Sequence, residues 1–220
     1  YSVFRGDENN VLSRYYEAGK LYKANTIIRI TGDCPIIDPK LVDSVISFYK
    51  QNEYDYVTIA SPPTFPDGLD TEVFSYETLK TAYEEVTDNY DKEHVTPYIR
   101  NSKKFKIWNI TNNIDYSSQR WTVDEPEDFQ VINNIVNHFS PDLDFCWEDV
   151  VKLKKSHPEY FSQNNKIIRN EGAMTGSGQK LWKRAKKIIP GGNMLLSKRA
   201  EMFLPDKWPS YFSKAKGCKV

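Results

Sequence analysis

Apolar positions along this chain alternate between helical and extended spacing, and that alternation predicts the fold class. Residues 10–22 place Val11, Leu12, Tyr15, Ala18, Leu21 and Tyr22 at helical intervals, with Asn9 or Asn10 as the cap. Residues 26–31 are short, β-branched and largely apolar, as an interior strand of a parallel sheet requires. Gly32-Asp33-Cys34-Pro35 interrupts them, and Asp38-Pro39 opens a helix with Leu41, Val42, Val45, Ile46 and Tyr49 on one face. Residues 55–60 read as a strand, 62–68 as a loop with an Asp67-Gly68 turn signal, 71–74 as extended and 76–86 as a helix. A short helix is predicted over 94–101, with Pro97 in its first turn, and strands over 105–110 and 120–123. Pro126 starts a helix that runs to about His138 and buries Phe129, Ile132, Ile135 and Val136; residues 147–155 form the last. Strands alternating with helices predict an α/β domain with a mainly parallel sheet.

Composition narrows the class. With 220 residues, 39% hydrophobic, the chain suits one sizeable core and is short for two. Its aromatic and charged content excludes disorder over most of the length. No run of about eighteen apolar residues is present to span a membrane, and no basic, apolar leader opens the chain. Cys34, Cys146 and Cys218 are odd in number and far apart, which gives neither a disulfide framework nor a metal pair and fits the cytoplasm. The opening Tyr1 and the mid-pattern ending at Val220 read as cuts through a longer protein.

The net charge of zero hides a split. Residues 1–165 carry 17 Lys+Arg and 27 Asp+Glu, a net of −10; residues 166–220 carry 13 and 3, a net of +10. So sharp a change of sign indicates two units, a first over 1–161 and a second over 179–220, joined by a polar, glycine-bearing linker over 162–178. The basic tail reads as an amphipathic helical extension, with no nucleic-acid or membrane partner expected.

Ligands of open α/β sheets bind at the carboxyl ends of strands. Asp33 follows the strand over 26–31 and Asp124 the strand over 120–123, so the two could share a divalent ion. Equally, Asp124 could cap the helix that follows and Asp33 could satisfy loop amides. No nucleophile-elbow, zinc-protease or Walker motif occurs. Cys34 reads as a small buried spacer, since the charge of Asp33 disfavours a thiolate. His94, after Glu93, could be structural or could bind a substrate.

Taken in order, several motifs are more specific. Arg29-Ile30-Thr31-Gly32-Asp33-Cys34-Pro35, Phe65-Pro66-Asp67-Gly68-Leu69-Asp70-Thr71-Glu72, Glu93-His94-Val95-Thr96-Pro97 and Arg120-Trp121-Thr122-Val123-Asp124-Glu125-Pro126-Glu127-Asp128 follow Val3-Phe4-Arg5-Gly6 and Val11-Leu12-Ser13-Arg14. The series, over residues 3 to about 139, resembles the spore-coat-polysaccharide type of cytidylyltransferase, relatives of the CMP-sugar synthetases. The resemblance implies a three-layer nucleotide-diphospho-sugar-transferase-like fold and transfer of CMP from CTP to a sugar or sugar acid, with release of pyrophosphate. It implies magnesium on Asp33 and Asp124, which would also be the catalytic residues. It implies substrate contacts from Arg29, Asp67, Gly68, Glu72, Glu93, His94 and Arg120, with the loop of residues 67–72 and Glu93-His94 on the sugar side. A homodimer is compatible with it. The family's triphosphate loop precedes the region where this chain starts, so residues 1–220 are expected to be inactive alone.

The second unit resembles the opening of a class III aminotransferase of the glutamate-1-semialdehyde aminomutase type, through Leu181-Trp182-Lys183-Arg184-Ala185, Ile189-Pro190-Gly191-Gly192 and Pro205-Asp206-Lys207-Trp208-Pro209. That resemblance implies a fusion in which pyridoxal phosphate belongs only to a downstream domain. A parent protein named for its aminotransferase, and a first unit that keeps the fold without catalysis, are the alternative readings.

Overall fold

In the computed structural model of the chain, residues 2–167 and 169 are described. Most of the predicted linker and the whole aminotransferase-like segment, with its expected helix and Cys218, lie outside them. The chain divides into two compact units, Tyr1–Lys166 and Ile167–Val220. All elements below belong to the first.

Helix α1 (Val11–Leu21) is capped by the Asn10 side chain, which accepts from the amide of Ser13 at 3.0 Å. Strand β1 (Thr26–Arg29) follows, then α2 (Pro39–Gln51), with Pro39 in its first turn, and β2 (Tyr56–Thr58). Strand β3 (Glu72–Ser75) runs straight into α3 (Tyr76–Glu85). Two short helices, α4 (Asn89–His94) and α5 (Pro97–Asn101), precede β4 (Ile107–Asn109). Helices α6 (Pro126–Phe139) and α7 (Trp147–Ser156) and a 3₁₀ turn (Pro158–Phe161) complete the series.

The sheet has the order β1-β3-β2-β4. β2 and β4 are parallel, but β3 is antiparallel to both β1 and β2, so the sheet is mixed and not mainly parallel. The reason lies in the connection. A parallel neighbour needs a crossover, usually helical, whereas residues 59–71 return as a loop without a helix and bring β3 back alongside β2. The expected strand over 120–123 is also replaced. Arg120 makes one isolated parallel bridge to Asp67, and the residues after it bond to two loops: the Trp121 amide to the Asp67 carbonyl at 2.7 Å and the Val123 amide to the Asp33 carbonyl at 2.9 Å. The helix expected over 94–101 is broken at Val95, whose φ is +72°, because Pro97 supplies no amide to continue it.

Strand alternation separates two cores. Val57 and Val73 face a core shared with Val45 of α2, Trp121, and Val131 and Ile135 of α6. Tyr56 and Phe74 face the other, with Leu12, Ile27, Leu79 and Ile99. Helices thus cover both faces, in the three layers expected. Helix α6 turns Asp128, Val131, Ile132 and Ile135 inward, which leaves Phe129, expected in the core, 62% exposed. Asn164, read from sequence as linker, is buried, its amide bonded to the Arg120 carbonyl and the Asp128 carboxylate. No described helix is long and apolar enough to cross a membrane.

Asp38 joins two helices across the fold. One carboxylate oxygen caps α2 through the amides of Lys40 and Leu41; the other accepts the first amide of α7, from Trp147, at 2.9 Å. Asp38→Ala removes the cap and leaves the Trp147 amide unpaired, which should cost about 2 kcal/mol. Urea unfolding should show a lowered midpoint with an unchanged slope; an unaltered midpoint would contradict the account.

Candidate functional site

Three chain segments meet beyond the carboxyl end of β1. The first is the turn that carries Asp33. Its carboxylate accepts from the Thr122 hydroxyl at 3.0 Å, and its carbonyl accepts from both the Thr122 hydroxyl and the Val123 amide. Burial works against its charge, but the hydroxyls of Thr31 and Thr122 hold Asp33 below the ordinary carboxylate range, so it is ionised at neutral pH. The second segment is the loop of residues 66–70. Its Gly68 has φ +103°, and a Cβ there would lie 2.6 Å from the Trp121 carbonyl carbon, so only glycine lets the loop lie against the third segment. That third segment is residues 119–124, laced to Asp67 by the Asp67 amide on Gln119 and the Trp121 amide on Asp67.

One guanidinium joins these segments. Arg120 Nε and a terminal nitrogen donate side by side to the two oxygens of Asp128, at 2.9 and 2.8 Å. The same terminal nitrogen reaches Asp124 at 2.7 Å, and the other reaches Asp67 at 3.2 Å. Asp128 is fully buried and also accepts the amides of Asp124 and Glu125, so it holds the turn that carries Asp124. Burial opposes its charge, yet Arg120 and Asn164 keep its carboxyl below the ordinary range. The Asp124 side chain, at 55% exposure, stands in solvent with one oxygen on Arg120. Asp124 does not cap α6, whose cap residue is Glu125. Burial, and then the charges of Asp33, Asp70 and Asp67, push the Cys34 thiol up to about 12, which makes it the inert spacer that the sequence suggested.

A second cluster surrounds Glu72 at the start of β3. Glu72 is 3% exposed and accepts from Arg29 at 2.5 Å, Thr96 at 2.7 Å, Arg100 at 3.5 Å and the Tyr56 hydroxyl. Burial works against the charge of Arg29, but the Glu72 carboxylate leaves it more firmly protonated than usual. A cleft of about 100 Å³ opens beside this cluster, lined among others by Thr58, Ser61, Arg100, Trp108 and Asn109.

Of the residues singled out in the sequence, Asp33, Asp67, Gly68, Arg120 and Asp124 come together at the first cluster, and Arg29 and Glu72 form the second. Glu93 is exposed on α4, and His94 is half-buried with its ring 4.3 Å from that of Tyr90; Thr96, just beyond, reaches Glu72. Sequence reasoning missed Asp128, Thr122, Asn164, Tyr56, Thr96 and Arg100. Only Asp128 had a local signal, an acidic residue three positions beyond the cap of a helix. The others meet their partners from distant positions.

A mixed sheet with helices on both faces and convergent loops beyond its strands defines an α/β fold of the nucleotide-diphospho-sugar-transferase kind. In keeping with this, the chain superposes on a cytidylyltransferase structure from Leptospira borgpetersenii with a TM-score of 0.72 and 33% identity, over 76% of this chain and 71% of that one. A cytidylyltransferase family model matches residues 1–167, and the chain belongs to that family. Among relatives, an uncharacterized protein of Methanocaldococcus jannaschii is 36% identical over 141 residues, 63% of this chain and 57% of that protein. The spore coat polysaccharide biosynthesis protein SpsF of Bacillus subtilis is 29% identical over 164 residues, 72% of this chain and 67% of that protein. The chain therefore spans little more than half the length of the archaeal relative.

The carboxylates give the site an acid limit. Asp33 and Asp128 titrate lower in the folded protein than in an unfolded chain, where a carboxyl has a pKa of about 3.9. Their contribution is complete above that value and is lost as pH falls through the lowered folded values. Asp128→Asn should be much less stable than the natural chain at pH 6, and thermal melts should show the gap narrowing as pH drops below about 4. A gap that stays constant into strong acid would show that Asp128 is not an ionised partner of Arg120.

Proposed function

We propose that the protein carrying this chain is a CTP-dependent cytidylyltransferase that transfers CMP to a sugar or sugar acid for surface-polysaccharide synthesis and releases pyrophosphate. The observation that carries the reading is the meeting of Asp33, Asp67 and Asp124 on three segments beyond β1, in a chain of the cytidylyltransferase family. The polysaccharide assignment is supported by the name of the Bacillus relative. In the reaction, a sugar hydroxyl oxygen bonds to the α-phosphorus, the bond from that phosphorus to the bridging oxygen breaks, and the hydroxyl gives up its proton.

Among the described residues, no group of three or more His, Cys, Asp or Glu forms a metal cage. Magnesium does not need one: it takes one or two carboxylates and fills its shell from phosphate and water. The donors here fit that habit. Asp33 is an ionised carboxylate whose backbone carbonyl is bonded to the Val123 amide, and the exposed Asp124 is the residue that follows Val123. Asp33 and Asp124 would hold the ion, which when bound would balance charge that builds on the phosphate oxygens. We assign the sugar side to the loop of residues 67–72 and to Glu93 and His94. The Glu72 cluster gives that side a rigid wall, since a buried carboxylate with four donors has little freedom to move. Residues 179–220 are read, on their motif order, as the opening of an aminotransferase-like domain fused to this one.

Asp33→Asn or Asp124→Asn, in the protein that carries this chain, should lower pyrophosphate release from CTP and sugar by at least about a hundredfold with the fold intact. Near-normal turnover in either variant would overturn the assignment.

A further inference from the structure

The family resemblance implied substrate contact for Arg120, but its surroundings leave it another task. The side chain is nearly buried, and four hydrogen bonds occupy its guanidinium: two to Asp128, one to Asp124 and one to Asp67. Its grip on Asp128 is the side-on pair that a planar guanidinium makes and a lysine ammonium cannot. Asp128 in turn accepts five hydrogen bonds, including the amides of Asp124 and Glu125. Asn164 braces the pair from both sides, donating to the Arg120 carbonyl and to Asp128.

We propose that Arg120 is a positioning residue: gripped by Asp128, its guanidinium ties Asp124 to the Asp67 loop and so holds Asp124 where, with Asp33, a divalent cation would bind. The inference rests on the metal reading given above under Proposed function. Its physical basis is geometry: Asp67 and Asp124 stand on two separate loops, and each gives a carboxylate oxygen to the same guanidinium. Because Arg120 spends its donors on three carboxylates, it acts through them and not on substrate. The carboxylate of Asp124, with one oxygen on Arg120 and more than half its surface exposed, is held in place yet still open to a ligand.

Titration of the chain with Mn²⁺, a paramagnetic stand-in for Mg²⁺, followed by water-proton relaxation with and without CTP, tests this without any turnover. Arg120→Lys keeps the charge and loses the fork, so Mn²⁺ should bind about tenfold more weakly, the loss typical of a supporting residue behind a metal ligand. Asn164→Ala keeps every charge and should weaken binding in the same direction by a smaller factor; it decides the matter if Arg120→Lys fails to fold. Binding as tight as in the natural chain, or tighter, in the folded variants would overturn the positioning role. If the natural chain binds no Mn²⁺, or Asp33→Asn binds it equally well, the metal reading itself falls and this inference with it.

Discussion

The side-on pair between Arg120 and Asp128 is the constraint on which the rest of the site depends. It joins a loop that has no strand to hold it with the first turn of α6, the helix packed against the sheet. An isolated charge at the position of Asp128 would be costly, since it is fully buried. With the guanidinium, two backbone amides and Asn164 as donors it becomes a fixed anchor instead. Breaking such a pair by removing one partner is far more damaging than never having built it. Geometry at Asp124 and Asp67 therefore descends from a residue that touches neither solvent nor, on this account, substrate.

Around that anchor the fold supplies two kinds of support. Backbone bonds stitch residues 120–123 to Asp67 and Asp33 where a strand ladder was expected. Gly68 permits it, because any side chain there would strike the backbone of Trp121 and Thr122. On the other side of β3, the Glu72 cluster uses a second buried carboxylate in the same manner, to tie β1, β2, α5 and the Thr96 turn together. Membership of the cytidylyltransferase family and the proposed phosphate chemistry give this economy a purpose. A site that must stabilise developing charge gains most from groups that are placed in advance.

Much of this was legible in the chain, and the boundary of legibility is physical. Helices α1, α2 and α6 announced themselves through apolar spacing, Asn10, and the Asp38-Pro39 and Pro126 starts, because capping and periodicity are local. The fold class followed from alternation of elements. The antiparallel insertion of β3 did not, because pairing partner and direction depend on residues 59–71 returning without a helix. Phe129 was misplaced for a related reason: the burial of Asp128 rotates α6, and a charged residue at the centre of the buried face is invisible to a hydrophobic pattern. Candidate site residues were proposed where a motif carried them, as at Asp33, Asp67 and Asp124. Arg120 was expected to contact substrate; its three carboxylate partners were not foreseen, since they lie on segments that only tertiary structure brings together.

The central claim is that the turns at Asp33 and Asp124 form one divalent-cation site. Its most direct test is paramagnetic broadening in the ¹⁵N-labelled chain at substoichiometric Mn²⁺ with CTP. The account predicts that the amides of residues 33–34 and 123–125 broaden first and together, while those around Glu72 and the acidic stretch 141–149 respond later. Broadening that begins at residues 141–149, or that separates Asp33 from Asp124, would contradict it.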